Sequence, residues 1–145
     1  MYNPDILLCM IDKKMYRISI KGVVINENGK FLLTKEDNGK WELLGGGIEP
    51  NEDALTCLER EIREETGLRI TRVSPHPIYF VTSQKANGTQ IANVIYGIEL
   101  ESLDFTPSEE CQELRFFSPD EAMKEELFPN VTEFIKQFSP KLHQF

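Results

Sequence analysis

The segment between the three glycines at positions 45–47 and Gly67 constrains the fold of this chain more than any other feature. Apolar residues recur along it at spacings of three and four, the period of a helix with one buried face: Ala54, Leu55, Leu58 and Ile62. Asn51 has the side chain of a good N-cap, and a glycine such as Gly67 commonly ends a helix. We therefore predict a helix over residues 52–66 whose apolar stripe packs against a sheet.

Strand-like segments lie on both sides of this helix. They are rich in β-branched and aromatic residues and are separated by turn sequences such as Asn26-Glu27-Asn28-Gly29. The predicted strands cover residues 17–25, 30–35, 41–44, 68–73, 78–82, 90–100 and 114–117. Short helices are predicted after Ser118, whose capping box includes Glu121, and at Asn130. The mixture predicts one α/β domain over residues 1–145, or α+β by a stricter definition, with a central sheet covered by helices.

The composition limits the classes of function that are open to the chain. The formal net charge is −8, which disfavours binding to extended nucleic acid, because such binding depends on many Lys and Arg contacts to phosphate. A small anionic substrate remains compatible, since a bound cation reverses the local charge of an acidic pocket.

Location and redox state also follow from composition. No apolar run approaches the roughly 18 residues of a membrane helix, and the N-terminal residues lack the basic region and cleavage site of a secretory signal. We expect a cytoplasmic protein without membrane association. The scattered cysteines, Cys9, Cys57 and Cys111, are expected to be reduced thiols.

Three carboxylates on the predicted helix form a candidate metal site. Glu61, Glu64 and Glu65 are related as i, i+3 and i+4, so they project over one patch of the helix surface. Like-charge pairs at this spacing cost about 0.2–0.5 kcal/mol each, and a hard divalent cation held by oxygen ligands removes that cost. The alternative is an ordinary solvated face, since acidic helix faces usually point to water and Arg60 and Arg63 neutralise part of this one.

The spacing of residues around these carboxylates decides against the solvated face. Nine residues stand at set distances from one another along this segment: Gly46, Glu52, Arg60, Glu61, Ile62, Glu64, Glu65, Gly67 and Leu68. At average residue usage, such a set arises by chance in about one of 10⁷–10⁸ chains of this length. Residues 46–68, GGIEPNEDALTCLEREIREETGL, thus resemble the complete Nudix box, the signature of the Nudix hydrolase family. One departure is Leu44, since the family often has proline before the paired glycines.

The resemblance implies a fold, an activity and a cofactor. The family has an α/β/α sandwich around a mixed sheet, in which the box forms a loop, a helix and a second loop. Its members hydrolyse a nucleoside diphosphate linked to another group, usually with Mg²⁺. We therefore expect Mg²⁺, with Mn²⁺ as a substitute, and a small nucleotide-type substrate.

The resemblance also implies roles for individual residues. Glu61 and Glu65 match the principal metal ligands, and Glu64 matches a ligand for a further ion. Gly45 matches a glycine whose backbone carbonyl often joins the coordination shell, and Arg60 matches an arginine that orients the carboxylates. Glu52 matches a glutamate near the helix start that usually has a supporting role. Many family members add a carboxylate from a loop outside the box, as a metal ligand or as the general base; the candidates here are Glu109, Glu110 and Glu113, with Glu110 favoured.

These roles predict a metal-assisted attack of water on a bridging phosphate. Either a glutamate of the box or Glu110 takes the proton from the attacking water. The catalytic candidates are Glu64, Glu61, Arg60 and Glu110. Lys35 and Gly46 are candidates for substrate binding, although Lys35 fits equally well as an exposed lysine on an edge strand. We expect the substrate to be a nucleoside di- or triphosphate derivative, with a nucleoside triphosphate that releases pyrophosphate as the default.

Two other classes of protein share parts of this pattern. A Nudix-fold sensor binds a nucleotide without cleaving it, but such proteins typically lose box carboxylates that this chain keeps. An acidic domain that binds calcium or a partner protein would leave the helix face solvated. The sequence points to no particular interface, so both a monomer and a homodimer remain open.

Overall fold

The strands and helices follow the predicted order with shifted boundaries. The computed structural model describes residues 14–145, so Cys9 lies outside the described residues. The strands are β1 (Tyr16–Val23), β2 (Phe31–Lys35), β3 (Trp41–Glu42), β4 (Leu44–Gly47), β5 (Ile70–Val73), β6 (Tyr79–Gln84), β7 (Gln90–Leu100) and β8 (Glu113–Phe117). The helices are α1 (Ala54–Thr66), α2 (Pro119–Ala122) and α3 (Pro129–Gln137), followed by a 3₁₀ helix at Pro140–His143.

A mixed sheet forms the centre of the fold. Its strand order is β4-β1-β7-β5, and β6 also pairs with β7. Strands β1 and β7 run parallel, whereas the other pairs are antiparallel. A smaller antiparallel sheet has the order β3-β2-β8. The predicted mixed sheet in an α+β fold is therefore confirmed.

Helix α1 covers one face of the mixed sheet. Leu58 and Ile62 are fully buried and share an apolar cluster with Ile20 of β1 and Leu44 of β4. Burying a leucine or isoleucine side chain contributes about 1.5–3 kcal/mol, so these two residues anchor the helix. The helix is thereby fixed beside β4, where the glycines lie.

Helix α3 and the smaller sheet enclose a second apolar cluster. The ring of Phe134 meets the rings of Phe31 and Tyr79 edge-on, with centroids 5.2 and 5.0 Å apart. Along β7, Ile95 belongs to this cluster and Ile98 to the cluster under α1. Since side chains alternate along a strand, the two clusters lie on opposite faces of the sheet, and the sandwich is confirmed.

The predicted start of the first helix is wrong by two residues. Asp53 is the N-cap, and its side chain accepts a hydrogen bond from the Thr56 N–H at 2.8 Å. Asn51 instead has a φ of 65°, which places it in a turn before the helix. Leu55, predicted in the apolar stripe, is 44% exposed. The predicted end at Gly67 is confirmed, since its φ is 75° and its N–H donates to the Arg63 carbonyl.

The predicted strand over residues 41–44 is divided between the two sheets. β3 pairs with β2 and β4 pairs with β1, with Leu43 between them. The turn before β2 forms as predicted, because the Asn26 N–H donates to the Lys30 carbonyl at 2.9 Å. Beyond an isolated bridge between Ile25 and Phe31, however, β2 pairs with β3 and β8 rather than with β1.

Three smaller expectations concern the described residues. The capping box of Ser118 and Glu121 is present at the start of α2. Cys57 and Cys111 are buried free thiols. Among residues 14–145, no helix combines the length and apolar character needed to cross a bilayer.

Candidate active site

Strand β4 presents two glycines to the acidic side of α1. Gly45 has a φ of 115°, and a Cβ at this position would collide with the carbonyl oxygen of Ile20. Gly46 has an ordinary backbone conformation, but a Cβ there would lie 2.5 Å from the carboxyl carbon of Glu61. Gly46 therefore leaves open the space that the Glu61 carboxylate occupies.

Three carboxylates meet beside these glycines. Glu61, Glu65 and Glu110 each offer one oxygen, and the three oxygens all lie within 4.8 Å of one another. Glu65 is 4% exposed, and its Oε1 accepts a hydrogen bond from the Gly45 N–H at 2.9 Å. Glu110 is exposed and comes from the loop before β8. The structure thus brings together the two principal predicted ligands and the favoured loop carboxylate.

The loop that carries Glu110 is tied both to α1 and to the smaller sheet. The Ser108 hydroxyl donates to the Glu65 carbonyl at 2.8 Å. The Thr34 hydroxyl on β2 donates to the Glu110 carbonyl at 3.2 Å. These two bonds hold a distant part of the chain against the helix, and they explain how Glu110 reaches the other two carboxylates.

Arg60 holds the outer side of the cluster. Its Nε and Nη2 donate to the Glu52 carboxylate at 2.7 and 2.9 Å, and its Nη1 donates to Glu61 Oε1 at 3.0 Å. The hydrogen bonds from Arg60 lower the pKa of Glu52 to about 2. Glu64 lies outside the cluster with a side chain that is 57% exposed, and Arg60 Nη1 is 3.4 Å from its Oε2. A metal-binding role for Glu64 stays a prediction.

The inner carboxylates resist ionisation. Burial raises the pKa of Glu65 well above its usual value; Lys21 and the Gly45 N–H oppose this, whereas Glu61 and Glu110 add repulsion. Burial also raises the pKa of Glu61, against the hydrogen bond from Arg60. A cation among these groups favours their charged forms. A bound cation would therefore offset the cost of ionising the buried carboxylates.

The donor set fits a hard divalent cation. All three groups are carboxylates, the ligands that Mg²⁺ and Ca²⁺ prefer. Adjacent ligands of an octahedral ion bound at about 2.1 Å lie about 3.0 Å apart and opposite ligands about 4.2 Å, and the three oxygens lie within 4.8 Å of one another, so rotation of the side chains can bring them to one ion. The Gly45 carbonyl, also predicted as a ligand, accepts a hydrogen bond from Lys21 Nζ at 3.0 Å, and its coordination stays a prediction.

Three buried polar residues lie at the site although the sequence analysis did not predict them there: Lys21, Asn93 and Asn130. The Asn130 amide donates to Glu42 Oε1 at 2.7 Å and to Asn93 Oδ1 at 3.2 Å. The helix predicted at Asn130 is present, but it begins at Pro129 with Phe128 at its N-cap, so Asn130 lies inside α3. Lys21 and Asn93 could have been found from the sequence, because each is a polar residue inside an otherwise apolar predicted strand.

These groups line one cavity of about 650 Å³, within the usual range of about 300–1,000 Å³ for small-molecule sites. Gly46 lines it, as do Lys21, Lys40 and Lys85. Lys35 is not among the lining residues, and its Nζ lies 5.8 Å from the centre of the Trp41 ring. A substrate-binding role for Lys35 therefore stays a prediction without a supporting contact.

Comparison with known proteins gives a family match and several similar chains. A sequence model of the NUDIX domain matches residues 15–139. A MutT-like protein from Streptomyces ambofaciens is 44% identical over 57 residues, which cover 39% of this chain and 37% of that protein. The CTP pyrophosphohydrolase of Escherichia coli (strain K12) is 28% identical over 129 residues, which cover 86% of this chain and 93% of that protein.

The fold is shared with solved structures. The crystal structure of a MutT protein from Methanosarcina mazei Go1 matches with a TM-score of 0.71 and 26% sequence identity. The match covers 86% of this chain and 93% of that chain. The similarity therefore extends over the sheets and helices, and not only over the glycine strand and α1.

Proposed function

The chain belongs to the NUDIX family, and on that premise we propose that it is a metal-dependent hydrolase that cleaves a phosphoanhydride bond of a nucleotide. One observation carries the proposal: carboxylate oxygens of Glu61, Glu65 and Glu110 come within 4.8 Å of one another, and all three residues line a cavity of about 650 Å³. Phosphoanhydrides resist attack by water because their oxygens are negative, so their hydrolysis needs concentrated positive charge. A cation site in the wall of a nucleotide-sized cavity meets that need.

Magnesium is the ion that we propose, with manganese as a substitute. Glu61, Glu65 and Glu110 supply only carboxylate oxygens, and hard ions prefer such ligands. The bound ion supplies positive charge for the phosphate oxygens and lowers the pKa of a bound water molecule.

The other charged residues orient the ligands or move the proton. Arg60 orients Glu61 through its 3.0 Å hydrogen bond and is itself fixed by Glu52. The proton acceptor is Glu110 or Glu64, which are both exposed and therefore accessible to the attacking water. Replacing each with glutamine separates their roles. Loss of the proton acceptor changes the pH dependence of kcat/KM, whereas loss of a ligand raises the Mg²⁺ concentration needed for half-maximal rate.

The substrate that we propose is a nucleoside triphosphate, which is hydrolysed to a nucleoside monophosphate and pyrophosphate. The E. coli CTP pyrophosphohydrolase, aligned over 86% of this chain, supports this class. The chain spans only 37% of the Streptomyces relative, so that relative supports the site and not the substrate.

Several proposals concern the protein as a whole. We infer that residues 1–145 form one domain, which acts in the cytoplasm as a monomer or a homodimer. Its partner is a small nucleotide rather than extended nucleic acid, because the net charge of −8 disfavours contact with many phosphates. Light scattering measures the oligomeric state.

A nucleotide panel tests the function directly. Release of phosphate and pyrophosphate is measured with Mg²⁺, with Mn²⁺ and with EDTA, for the intact protein and for Glu61→Gln and Glu65→Gln. Glu59→Gln is the matched control, because Glu59 is exposed on the same helix and outside the cluster. We expect metal-dependent pyrophosphate release that both cluster variants lose and the control keeps. Nucleotide binding without hydrolysis would instead identify a sensor, and metal binding without nucleotide binding an acidic partner-binding domain.

A further inference from the structure

A buried lysine stands next to the carboxylate cluster. Lys21 lies on β1 directly opposite Gly45 of β4 and is 6% exposed. Its Nζ donates to the Gly45 carbonyl at 3.0 Å and to the Leu43 carbonyl at 3.4 Å. The nearest oxygen of the Glu42 carboxylate is 3.7 Å away. Lysines are almost never buried this deeply unless they are paired, so this position needs an explanation.

The hydrogen bonds of Lys21 leave part of its capacity unused. An ammonium group has three N–H donors, and two of them are directed at backbone carbonyls. The separation of 3.7 Å from Glu42 is an ion pair but exceeds the usual length of a hydrogen bond. Among the described residues, no third acceptor lies within hydrogen-bonding distance of this ammonium group. Its remaining donor is available to a ligand in the cavity that Lys21 lines.

Gly45 connects Lys21 to the carboxylate cluster. The Gly45 N–H donates to Glu65, while the Gly45 carbonyl accepts from Lys21. The ammonium group and the carboxylate are therefore held by opposite ends of the same glycine. A molecule bound between them would contact the cation on one side and the acidic site on the other.

The charge of the cavity shows why a fixed cation matters there. Its lining carboxylates are Glu36, Glu42, Glu61, Glu65 and Glu110, and its lining lysines are Lys21, Lys40 and Lys85. Lys40 and Lys85 are exposed, so each would lose rotamer freedom on holding a ligand. Lys21 is already ordered by burial, and a preorganised charge stabilises an anion at no further ordering cost.

We propose that Lys21 binds the substrate directly, by donating a charge-assisted hydrogen bond to a phosphate oxygen of the nucleotide. This inference rests on the proposed function and names a residue of the same site. The competing explanation is that Lys21 only fixes the glycine strand. The two explanations differ in what removal of the lysine does: loss of a strand-fixing lysine displaces the metal ligands and weakens metal binding, whereas loss of a phosphate-binding lysine lowers the affinity for the anion with the metal ligands still in place.

The test uses imidodiphosphate, a pyrophosphate analogue with a P–N–P bridge, titrated calorimetrically into the Mg²⁺-loaded protein. Lys21→Met should weaken its binding by about 10- to 100-fold, the usual effect of losing a charge-assisted hydrogen bond. Mn²⁺ binding by the same variant should not weaken, and Lys21→Arg should recover part of the imidodiphosphate affinity. Lys136→Met is the matched control, since Lys136 forms an exposed ion pair with Glu133 on α3.

Several results would overturn the inference. Lys21→Met could bind imidodiphosphate as well as the intact protein does, or it could lose Mn²⁺ and imidodiphosphate together, which indicates a structural role. Loss of binding in Lys35→Met but not in Lys21→Met would transfer the role to Lys35. If Lys21→Met does not fold, the side-chain ¹⁵N signal of Lys21 in the intact protein decides, and an unchanged signal with imidodiphosphate bound contradicts the proposal. Failure of the intact protein both to bind imidodiphosphate and to hydrolyse any nucleotide would overturn the proposed function as well.

Discussion

Replacing Gly46 with alanine should disable the site without unfolding the protein. The added Cβ would lie 2.5 Å from both Cδ and Oε2 of Glu61, whereas ordinary contacts begin at 3.4 Å. The carboxylate must therefore retreat by about 0.9 Å, and a misplacement of about 1 Å at a reacting centre costs about 100-fold in rate. We expect kcat/KM for the best nucleotide of the panel to fall about 100-fold, with half-maximal activity at a higher Mg²⁺ concentration.

The stability of this variant should remain close to that of the intact protein. The displaced atoms are the far end of a flexible side chain, and replacing glycine with alanine restricts the unfolded chain, which stabilises a protein by about 0.4–1 kcal/mol where the backbone allows it. Gly47→Ala is the matched control, because a Cβ at this neighbouring glycine meets nothing within 4 Å. Urea unfolding and pyrophosphate release are measured for both variants. Full activity in Gly46→Ala, or an equal loss in Gly47→Ala, would refute the steric reasoning.

Three further predictions concern stability. With divalent metal removed by EDTA, the intact protein should lose thermal stability relative to Glu65→Gln as the pH rises above about 4.5, because the raised pKa of Glu65 lets the folded state keep a proton that the unfolded state releases; parallel pH profiles of the two proteins would contradict this. Ser118→Ala removes the cap that accepts from the Glu121 N–H and should cost about 1 kcal/mol in urea unfolding, with kcat/KM unchanged. Asn130→Ala leaves the buried Asn93 Oδ1 without its donor and should lower the free energy of unfolding by about 1–3 kcal/mol; an unchanged urea midpoint would show that water replaces the amide.

The core of the site could be predicted from the sequence because its geometry is local. Glu61 and Glu65 are one helical turn apart, so their spacing alone places them on one face. Gly67 ends the helix through its own backbone conformation, which needs no contact from elsewhere. The spacing from Gly46 to Glu61 also predicts a contact between two elements, because the glycine leaves room for the Glu61 carboxylate.

The exact start of the helix could not be predicted, since two good capping residues stand close together. Asn51 and Asp53 both have side chains that suit an N-cap, and the backbone before the helix decides between them. The turn puts Asn51 at a φ of 65°, while Asp53 has the extended conformation that a cap requires. Glu52, between them, turns its carboxylate to Arg60. The ion pair of Glu52 with Arg60 and the turn at Asn51 thus decide between two residues that both suit the cap.

The residues that complete the site could not be assigned to it from the sequence, because strand pairing and loop packing bring them in from distant parts of the chain. Lys21 lies inside a predicted strand and Lys35 at the end of one, but neither position shows which other residues its side chain meets. The register of β1 against β4 puts Lys21 opposite Gly45, whereas Lys35 pairs across to Trp41 in the smaller sheet. A buried lysine is costly unless acceptors surround it, so a lysine inside an apolar strand implies a polar site nearby. The sequence can therefore indicate that Lys21 faces such a site, but only the pairing of the strands identifies it as the site of the carboxylates.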